Sequence, residues 1–307
     1  MDERHTGSIP RRDDARRGLP DSELAIDRRL RVLLGRLPAH GIPGALTELL
    51  AFGLKQFWAC LFGAALLVVL AAARLWYPDN AIIARNDALT VAAVVIQVAM
   101  VATRLETLRE LRVIVAFHLV GTAMELFKTG VGSWSYDAGG IFHVGAVPLY
   151  SGFMYAAVGS YMVRVYRLFD LRFTRWPPVA LTAVAAGAAY ANFFTHHWLW
   201  DLRWPIVGLV ILLWCRSTMH VRVFRRGIRM PVLVAFALVA TFIWLAENIA
   251  TWARAWTYPS QVDGWEPVGI SKLVAWFLLM IVSVVLVTWV YPPRRPDPVI
   301  ARATVTG

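Results

Sequence analysis

Eight long apolar runs separated by short polar spacers constrain this chain more than any other feature of its sequence. Most are close to the roughly 20 residues that an α-helix needs to cross the hydrocarbon core of a bilayer. The runs cover residues 57–75, 88–102, 112–127, 149–166, 178–194, 204–215, 231–250 and 270–291. Because 58% of all residues are hydrophobic and only 17% are charged, an ordinary soluble domain is excluded. The sequence therefore predicts an all-α, polytopic membrane helix bundle with about eight transmembrane helices.

Arginine and lysine are concentrated in alternate spacers. The two tails and the spacers at 103–112, 164–175 and 216–229 are rich in arginine, and the other spacers are poor. By the positive-inside rule, this alternation places both termini in the cytoplasm of a multi-pass protein of the bacterial cytoplasmic (inner) membrane. The net charge of +11 therefore predicts binding to membrane lipids and not to nucleic acid. The basic tail and loops would bind the anionic inner leaflet.

Three regions are predicted along the chain. Residues 1–41 form a cytoplasmic basic tail with an amphipathic helix, residues 42–292 form the transmembrane bundle, and residues 293–307 form a second cytoplasmic tail. In AIDRRLRVLLGRL, the apolar side chains recur at helical spacing among arginines, and this helix either lies on the inner leaflet or packs on the cytoplasmic loops. Residues 1–20 are polar without an apolar period and are predicted to be disordered.

Ionisable side chains collect at the outer ends of the predicted helices. A charge at membrane depth costs a few kcal/mol on insertion scales, so it normally faces the bundle interior and marks a functional site. The residues predicted to be catalytic are Glu125, Glu247, His118, His196 and His197. The residues predicted to bind the substrate are Lys128, Trp134, Tyr136, His143, Asp201, Arg203, Asn248, Trp256 and Tyr258.

Several of these residues also have a structural interpretation. Glu125 and Lys128, three residues apart, could form an ion pair at a helix end. Asn248 beside Glu247 could anchor a loop by hydrogen bonds, and His118 could be a satisfied interior histidine. The pair His196-His197 could cap a helix in the interfacial layer, among the tryptophans expected there.

Two stretches of the chain suggest an internal repeat. VIVAFHLVGT at 113–122 resembles VLVAFALVAT at 232–241, and a glutamate follows each. Trp-Ser-Tyr at 134–136 follows Glu125 by nine to eleven residues, and Trp-Thr-Tyr at 256–258 follows Glu247 by the same interval. The two matches differ in register by three residues, close to one helical turn. This pattern predicts two parallel repeats of four helices each.

Longer segments resemble a known family. They include RLETLRELRVIVAFHLVGTAMELFKTGVGSWSYD, YANFFTHHWLWDLRW and FIWLAENIATWARAWTYP, which look like the bacterial membrane proteins grouped as domain of unknown function 817. The resemblance runs from about residue 47 to 291 and implies a polytopic membrane protein without an established activity.

A fainter likeness, confined to residues 121–161, is to carotenoid hydratases and the lycopene cyclase domain. It is carried by Glu125, Trp134, Tyr136 and the Val-Pro-Leu step at 147–149. It implies carboxylic acids that protonate an isoprenoid double bond. The whole helix pattern of those enzymes is not reproduced.

The function favoured by these features is acid–base catalysis on a hydrophobic, isoprenoid or lipid substrate in an outward-facing cleft. A proton-coupled transporter of small solutes and a structural or assembly protein of the envelope are the alternatives. The sequence leaves the cofactor and the metal unassigned. A metal-dependent variant of the enzyme would take its ligands from His143, His196, His197, Glu125 and Glu247.

Overall fold

The computed structural model describes residues 21–296, with side chains from residue 28 onward. The fold is mostly helical. The helices are α1 (Asp21–Leu34), α2 (Gly41–Ala59), α3 (Leu61–Trp76), α4 (Arg85–Ala102), α5 (Leu108–Gly130), α6 (Tyr150–Leu168), α7 (Val179–Thr195), α8 (Arg203–Trp214), α9 (Val232–Trp252) and α10 (Lys272–Val290). The predicted disorder of residues 1–20, and most of the predicted C-terminal tail, lie outside the described residues.

Each of the eight predicted apolar runs overlaps one of the helices α3 to α10 over most of its length. Three of the described helices, α4, α9 and α10, are long and apolar enough to cross a membrane. Helices α2 and α3 pass the same test together as one broken span, bent by 67° at the break. Length and composition therefore support three or four spans in the described part of the chain.

Helix α2 was not predicted, because its charged side chains interrupt the apolar run. The structure satisfies both of those charges on the arginine-rich side of the fold. The buried Lys55 ammonium donates to the carbonyl oxygens of Leu168 (3.2 Å) and Val223 (2.6 Å). The Glu48 carboxylate accepts from the backbone N–H of Phe224 (3.2 Å) and Arg225 (2.9 Å). These bonds fix α2 against the end of α6 and the segment before α9.

The prediction of a purely helical fold was wrong in detail, because the spacers form two small antiparallel sheets. Strands β1 (His143–Val144) and β2 (Val147–Pro148) pair with each other. Strands β3 (Arg172–Thr174), β4 (Thr218–Arg222) and β5 (Gly227–Pro231) form the second sheet in the order β3-β4-β5. In β4 the apolar Met219 and Val221 alternate with polar residues, the period of a half-buried strand.

Helices α5 and α6 approach each other closely through glycine. A methyl group at Gly121 of α5 would lie 2.3 Å from the Tyr155 ring of α6, and one at Gly152 of α6 would lie 2.4 Å from the His118 ring of α5. Both positions therefore need a residue without a side chain. This contact fixes Tyr155 beside the C-terminal half of α5, close to Glu125.

Candidate functional site

A cavity of about 1010 Å³ is lined by residues of α2, α3, α5, α6, α9 and α10, and Glu125 and Glu247 both belong to its wall. Most of the other lining residues are apolar. On α9, the lining residues Leu238, Phe242 and Leu245 are also exposed at the protein surface. The cavity is therefore open sideways, on an apolar surface that lipid would cover.

The Glu125 carboxylate is held by three aromatic donors. Glu125 is 3% exposed and lies in the C-terminal half of α5. The indole N–H of Trp134 and the hydroxyl of Tyr136 both donate to Oε2, each at 2.7 Å, and the hydroxyl of Tyr155 donates to Oε1 at 2.6 Å. Hydrogen bonds of this kind satisfy a carboxylate removed from water. We call these four residues the Glu125 half-site.

The Glu247 carboxylate is held in a similar way by two donors. Glu247 is also 3% exposed, near the end of α9. The hydroxyl of Tyr258 donates to Oε1 at 2.5 Å, and the indole N–H of Trp276 donates to Oε2 at 2.6 Å. These three residues are the Glu247 half-site.

The two half-sites meet through their loops. Ser135 and Thr257 exchange two backbone hydrogen bonds, of 3.0 and 2.9 Å, in an antiparallel bridge. The ring centroids of Trp134 and Tyr258 lie 5.9 Å apart. Because Ser135 and Thr257 follow their glutamates at the same interval, the bridge relates the two loops by a local two-fold rotation.

The element boundaries repeat with the same shift of 122 positions. Helices α5 and α9 end at Gly130 and Trp252, and α6 and α10 run over Tyr150–Leu168 and Lys272–Val290. The backbone angle φ is positive at Gly132 (73°) and at Arg254 (53°), which are also 122 positions apart. In contrast, the segments 113–122 and 232–241 match with a shift of 119. That match is therefore one turn out of register with the helix ends.

Lysine 272 lies between the half-sites. Its ammonium is 4.4 Å from the ring centroid of Tyr258 and 6.0 Å from that of Trp134, and it attracts the Glu247 carboxylate. Such cation–π contacts are worth about 0.5–1 kcal/mol or more each. Lys272, Tyr155 and Trp276 were not among the predicted site residues. Tyr155 and Trp276 follow their glutamates by 30 and 29 residues, so they are not at equivalent positions of the repeat, and their place beside the glutamates depends on how α6 and α10 pack.

Lys128 is buried but points away from Glu125. No ion pair between these two residues is present in the described chain, so that structural interpretation was wrong. The Lys128 Nζ lies 2.9 Å from Nε2 of His197 and 4.0 Å from the ring centroid of Phe193. Burial, followed by the nearby charges of Lys128 and His196, lowers the pKa of His197.

His196, Asp201 and Arg203 belong to the turn between α7 and α8. His196 Nδ1 lies 2.9 Å from the carbonyl oxygen of Asn192. Asp201 accepts from Arg203 Nε (2.6 Å) and from Asn192 Nδ2 (3.2 Å). Burial acts to raise the pKa of Asp201, but these hydrogen bonds, the one from the Arg203 backbone and the arginine charge outweigh it, so the pKa is lowered. This turn faces Lys128 through His197.

Four other predicted residues divide between the cavity and structural roles. Trp256 lines the cavity. The His118 and Phe153 rings form a T-shaped contact with their centroids 4.8 Å apart, and His118 is not in the cavity wall. His143 is exposed and contacts the Gly145 carbonyl at 2.9 Å. Asn248 donates to Trp244 O (2.8 Å) and accepts from the N–H of Val268 (2.9 Å), as the loop-anchor interpretation predicts.

The predicted metal ligands are not brought together. Within the residues that the structure describes, no three His, Cys, Asp or Glu side chains are placed to hold a metal ion. The set His143, His196, His197, Glu125 and Glu247 fails because His143 faces outward in its own turn, and because indole and hydroxyl donors already occupy the two carboxylates.

Comparison with known proteins gives a family and one relative. The family model described as "Protein of unknown function (DUF817)" matches residues 48–284. The uncharacterized protein YoaT of Bacillus subtilis (strain 168) is 41% identical over 254 residues, which cover 83% of this chain and 96% of that protein. No solved structure matches significantly. Neither match is to a carotenoid hydratase or lycopene cyclase, so that likeness stays a prediction.

Proposed function

We propose, from the premise that this chain belongs to the DUF817 family of proteins of unknown function, that it is a membrane enzyme performing acid–base chemistry on a hydrophobic substrate. The observation that carries the proposal is that Glu125 and Glu247 line one largely apolar cavity that opens sideways. A cavity of about 1010 Å³ is at the upper end of the range for small-molecule sites. An isoprenoid or lipid chain would enter it directly from the bilayer.

The proposed topology has eight crossings in the bacterial inner membrane, with both termini in the cytoplasm and two parallel four-helix repeats. The common shift of 122 positions and the Ser135–Thr257 bridge support the repeat. The two glutamates lie near the C-terminal ends of α5 and α9 and face one cavity, as expected if these helices run in the same direction. The arginine-rich spacers and α1 would face the anionic inner leaflet.

In the proposed reaction one carboxyl group donates its proton to one carbon of a substrate double bond, which leaves the positive charge on the other carbon of that bond. The other carboxylate then removes a proton from the next carbon beyond the charge, and the double bond forms again one position along the chain. No atoms are gained or lost, so the double bond is isomerised. After each turnover the first carboxyl group lacks a proton and the second holds one. The tyrosine hydroxyls at 2.5–2.7 Å from the carboxylates would relay protons between these groups and water. Two carboxyl groups in unlike surroundings can divide the acid and base roles.

The test uses full-length protein in proteoliposomes made from a bacterial membrane lipid extract in D₂O. We expect deuterium to enter a hydrophobic lipid, and Glu125→Gln and Glu247→Gln each to reduce that rate by about 100-fold or more. Glu266→Gln is the matched control, because Glu266 is exposed in an outer loop and is not in the cavity wall. Equal deuterium incorporation by folded Glu125→Gln and Glu247→Gln proteins would refute the proposal.

Transport is the second candidate, favoured by the length of the cavity. Its wall extends from Lys272 at the outer side to Phe169 and Tyr291 near the arginine-rich side, so a route through the bundle would need little opening. The discriminating measurement is proton movement into proteoliposomes under a solute gradient, read with a pH-sensitive dye. Solute-dependent proton entry that Glu125→Gln abolishes, without deuterium entering any lipid, would favour the transporter.

A further inference from the structure

The buried Lys128 ammonium is not balanced by a negative charge within the described structure. Lys128 is 3% exposed, and the charges that act on it come from Lys272 and Arg203, which are both positive. Its polar contact is the imidazole of His197, and its other close contact is the Phe193 ring. A buried cation without a counter-charge is destabilising, because its burial removes water and no opposite charge replaces it. An anion bound beside Lys128 would remove that cost.

Other groups around Lys128 also suit an anion. Arg203 uses Nε to bind Asp201, and its two Nη nitrogens make no hydrogen bond to any described residue. His197 gains a donor when it is protonated.

The cluster is joined to the apolar cavity by Phe193. The Phe193 ring lies below the Lys128 ammonium at 4.0 Å and also belongs to the cavity wall. A molecule with a charged end at Lys128 could therefore pass over Phe193 and continue into the cavity. Free phosphate would use the charges but leave this apolar continuation empty.

We propose that Lys128, His197 and Arg203 bind the anionic head group of a membrane amphiphile whose apolar tail lies in the cavity. This inference rests on the proposed function, because it assigns the class of molecule that the cavity takes. It adds that the substrate, or a lipid bound in its place, carries a phosphate-type or carboxylate head group at the outer side.

Native mass spectrometry of the full-length protein tests this with phosphatidylglycerol, phosphatidylcholine and diacylglycerol of identical acyl chains. We expect phosphatidylglycerol to bind best, and Lys128→Met to weaken it about tenfold or more while leaving diacylglycerol unchanged. The matched control is Arg74→Met, which removes an exposed cation at the end of α3 outside the cavity wall. His197→Gln, at an exposed position, serves as a second variant if Lys128→Met does not fold.

Equal phosphatidylglycerol affinity in the wild type, Lys128→Met and His197→Gln would overturn the proposal. If millimolar inorganic phosphate displaces the lipid and stabilises the protein equally well, the proposal of a lipid head group is overturned. The cluster would then be a site for a free anion. Glu125→Gln and Glu247→Gln should still bind phosphatidylglycerol. If those two variants also keep full deuterium incorporation, the proposed chemistry fails while the head-group site stands.

Discussion

The Glu125 half-site and the Glu247 half-site share their loop geometry but differ in charge. Glu125 accepts three hydrogen bonds, whereas Glu247 accepts two and lies close to the Lys272 ammonium. The position that corresponds to Lys272 in the other half is Tyr150, whose hydroxyl donates to the Ala255 carbonyl. Similar backbones thus carry different electrostatics, which is what two carboxyl groups need in order to take different roles.

The tightest packing around the two glutamates is also unequal. Gly121 leaves room for the Tyr155 ring, whereas Ile243 occupies the corresponding position on α9 and lines the cavity. The Gly121 contact therefore holds the Glu125 half-site against α6, whereas the corresponding side chain on α9 lies in the wall of the cavity.

Gly121→Ala should have the largest effect, because the added methyl group would overlap the Tyr155 ring and displace its hydroxyl from Glu125. We expect a loss of about 3 kcal/mol in unfolding free energy, measured by denaturant unfolding in detergent. Gly130→Ala in the same helix is the control, since nothing lies within 4 Å of its added atom. Equal stability of the two variants would show that α5 and α6 are not closely packed.

Tyr258→Phe should destabilise the protein more than Tyr136→Phe. In Tyr258→Phe the Glu247 carboxylate keeps one of its two hydrogen bonds. In Tyr136→Phe the Glu125 carboxylate keeps two of its three. We expect losses of about 2 and about 1 kcal/mol respectively, from the same unfolding measurement. A larger loss in Tyr136→Phe than in Tyr258→Phe would mean that Glu125, with three donors, depends more on each hydrogen bond than Glu247 does.

Lys272 should couple more strongly to Glu247 than to Glu125. A double-mutant cycle of Lys272→Met with Glu247→Gln should give a coupling energy of about 1 kcal/mol, and the cycle with Glu125→Gln a value near zero. Thermal unfolding of the four proteins in each cycle provides the measurement. Equal coupling energies would remove the electrostatic difference between the half-sites.

The smallest effect on stability is expected from pH, through His197 in the cluster of Lys128, His197 and Arg203 beside the Glu125 half-site. Because the pKa of His197 is lowered from its usual 6.5 in the folded protein, the unfolded chain takes up this proton first as the pH falls. Stability is therefore complete above about pH 6.5 and decreases below it. In His197→Gln this part of the decrease should be absent from thermal unfolding curves recorded between pH 8 and 5. Identical pH profiles would contradict the assignment.

Sequence periodicity predicted the helices but not their partners. The apolar runs identify α3 to α10 because burial in a bilayer or a core requires continuous apolar residues. Helix α2 was missed because Glu48 and Lys55 are satisfied by backbone groups that are distant in sequence. Strand β3 comes from one spacer, and β4 and β5 form a hairpin in the next one. Because β3 pairs with β4 across α7 and α8, the sequence shows only a short alternation of residues in each strand.

The site was predicted in its local parts only. The Trp-x-Tyr triplets and the glutamates were found because they lie within eleven residues of each other. Tyr155 and Trp276 come from the next helices and depend on how these helices pack. The direction of Lys128 also depends on packing, since the same spacing from Glu125 allows an ion pair or, as here, a contact with His197.

Disulfide formation between Ser135→Cys and Thr257→Cys tests most directly whether the half-sites meet. Directly opposed residues that exchange both hydrogen bonds have Cα atoms about 5.5 Å apart, within the range of disulfides. With Cys60 and Cys215 replaced by alanine, we predict rapid intramolecular disulfide formation under mild oxidation, and none in the Ser133→Cys/Thr257→Cys control. A folded double variant that stays reduced, or that links only between molecules, would contradict a shared site for Glu125 and Glu247.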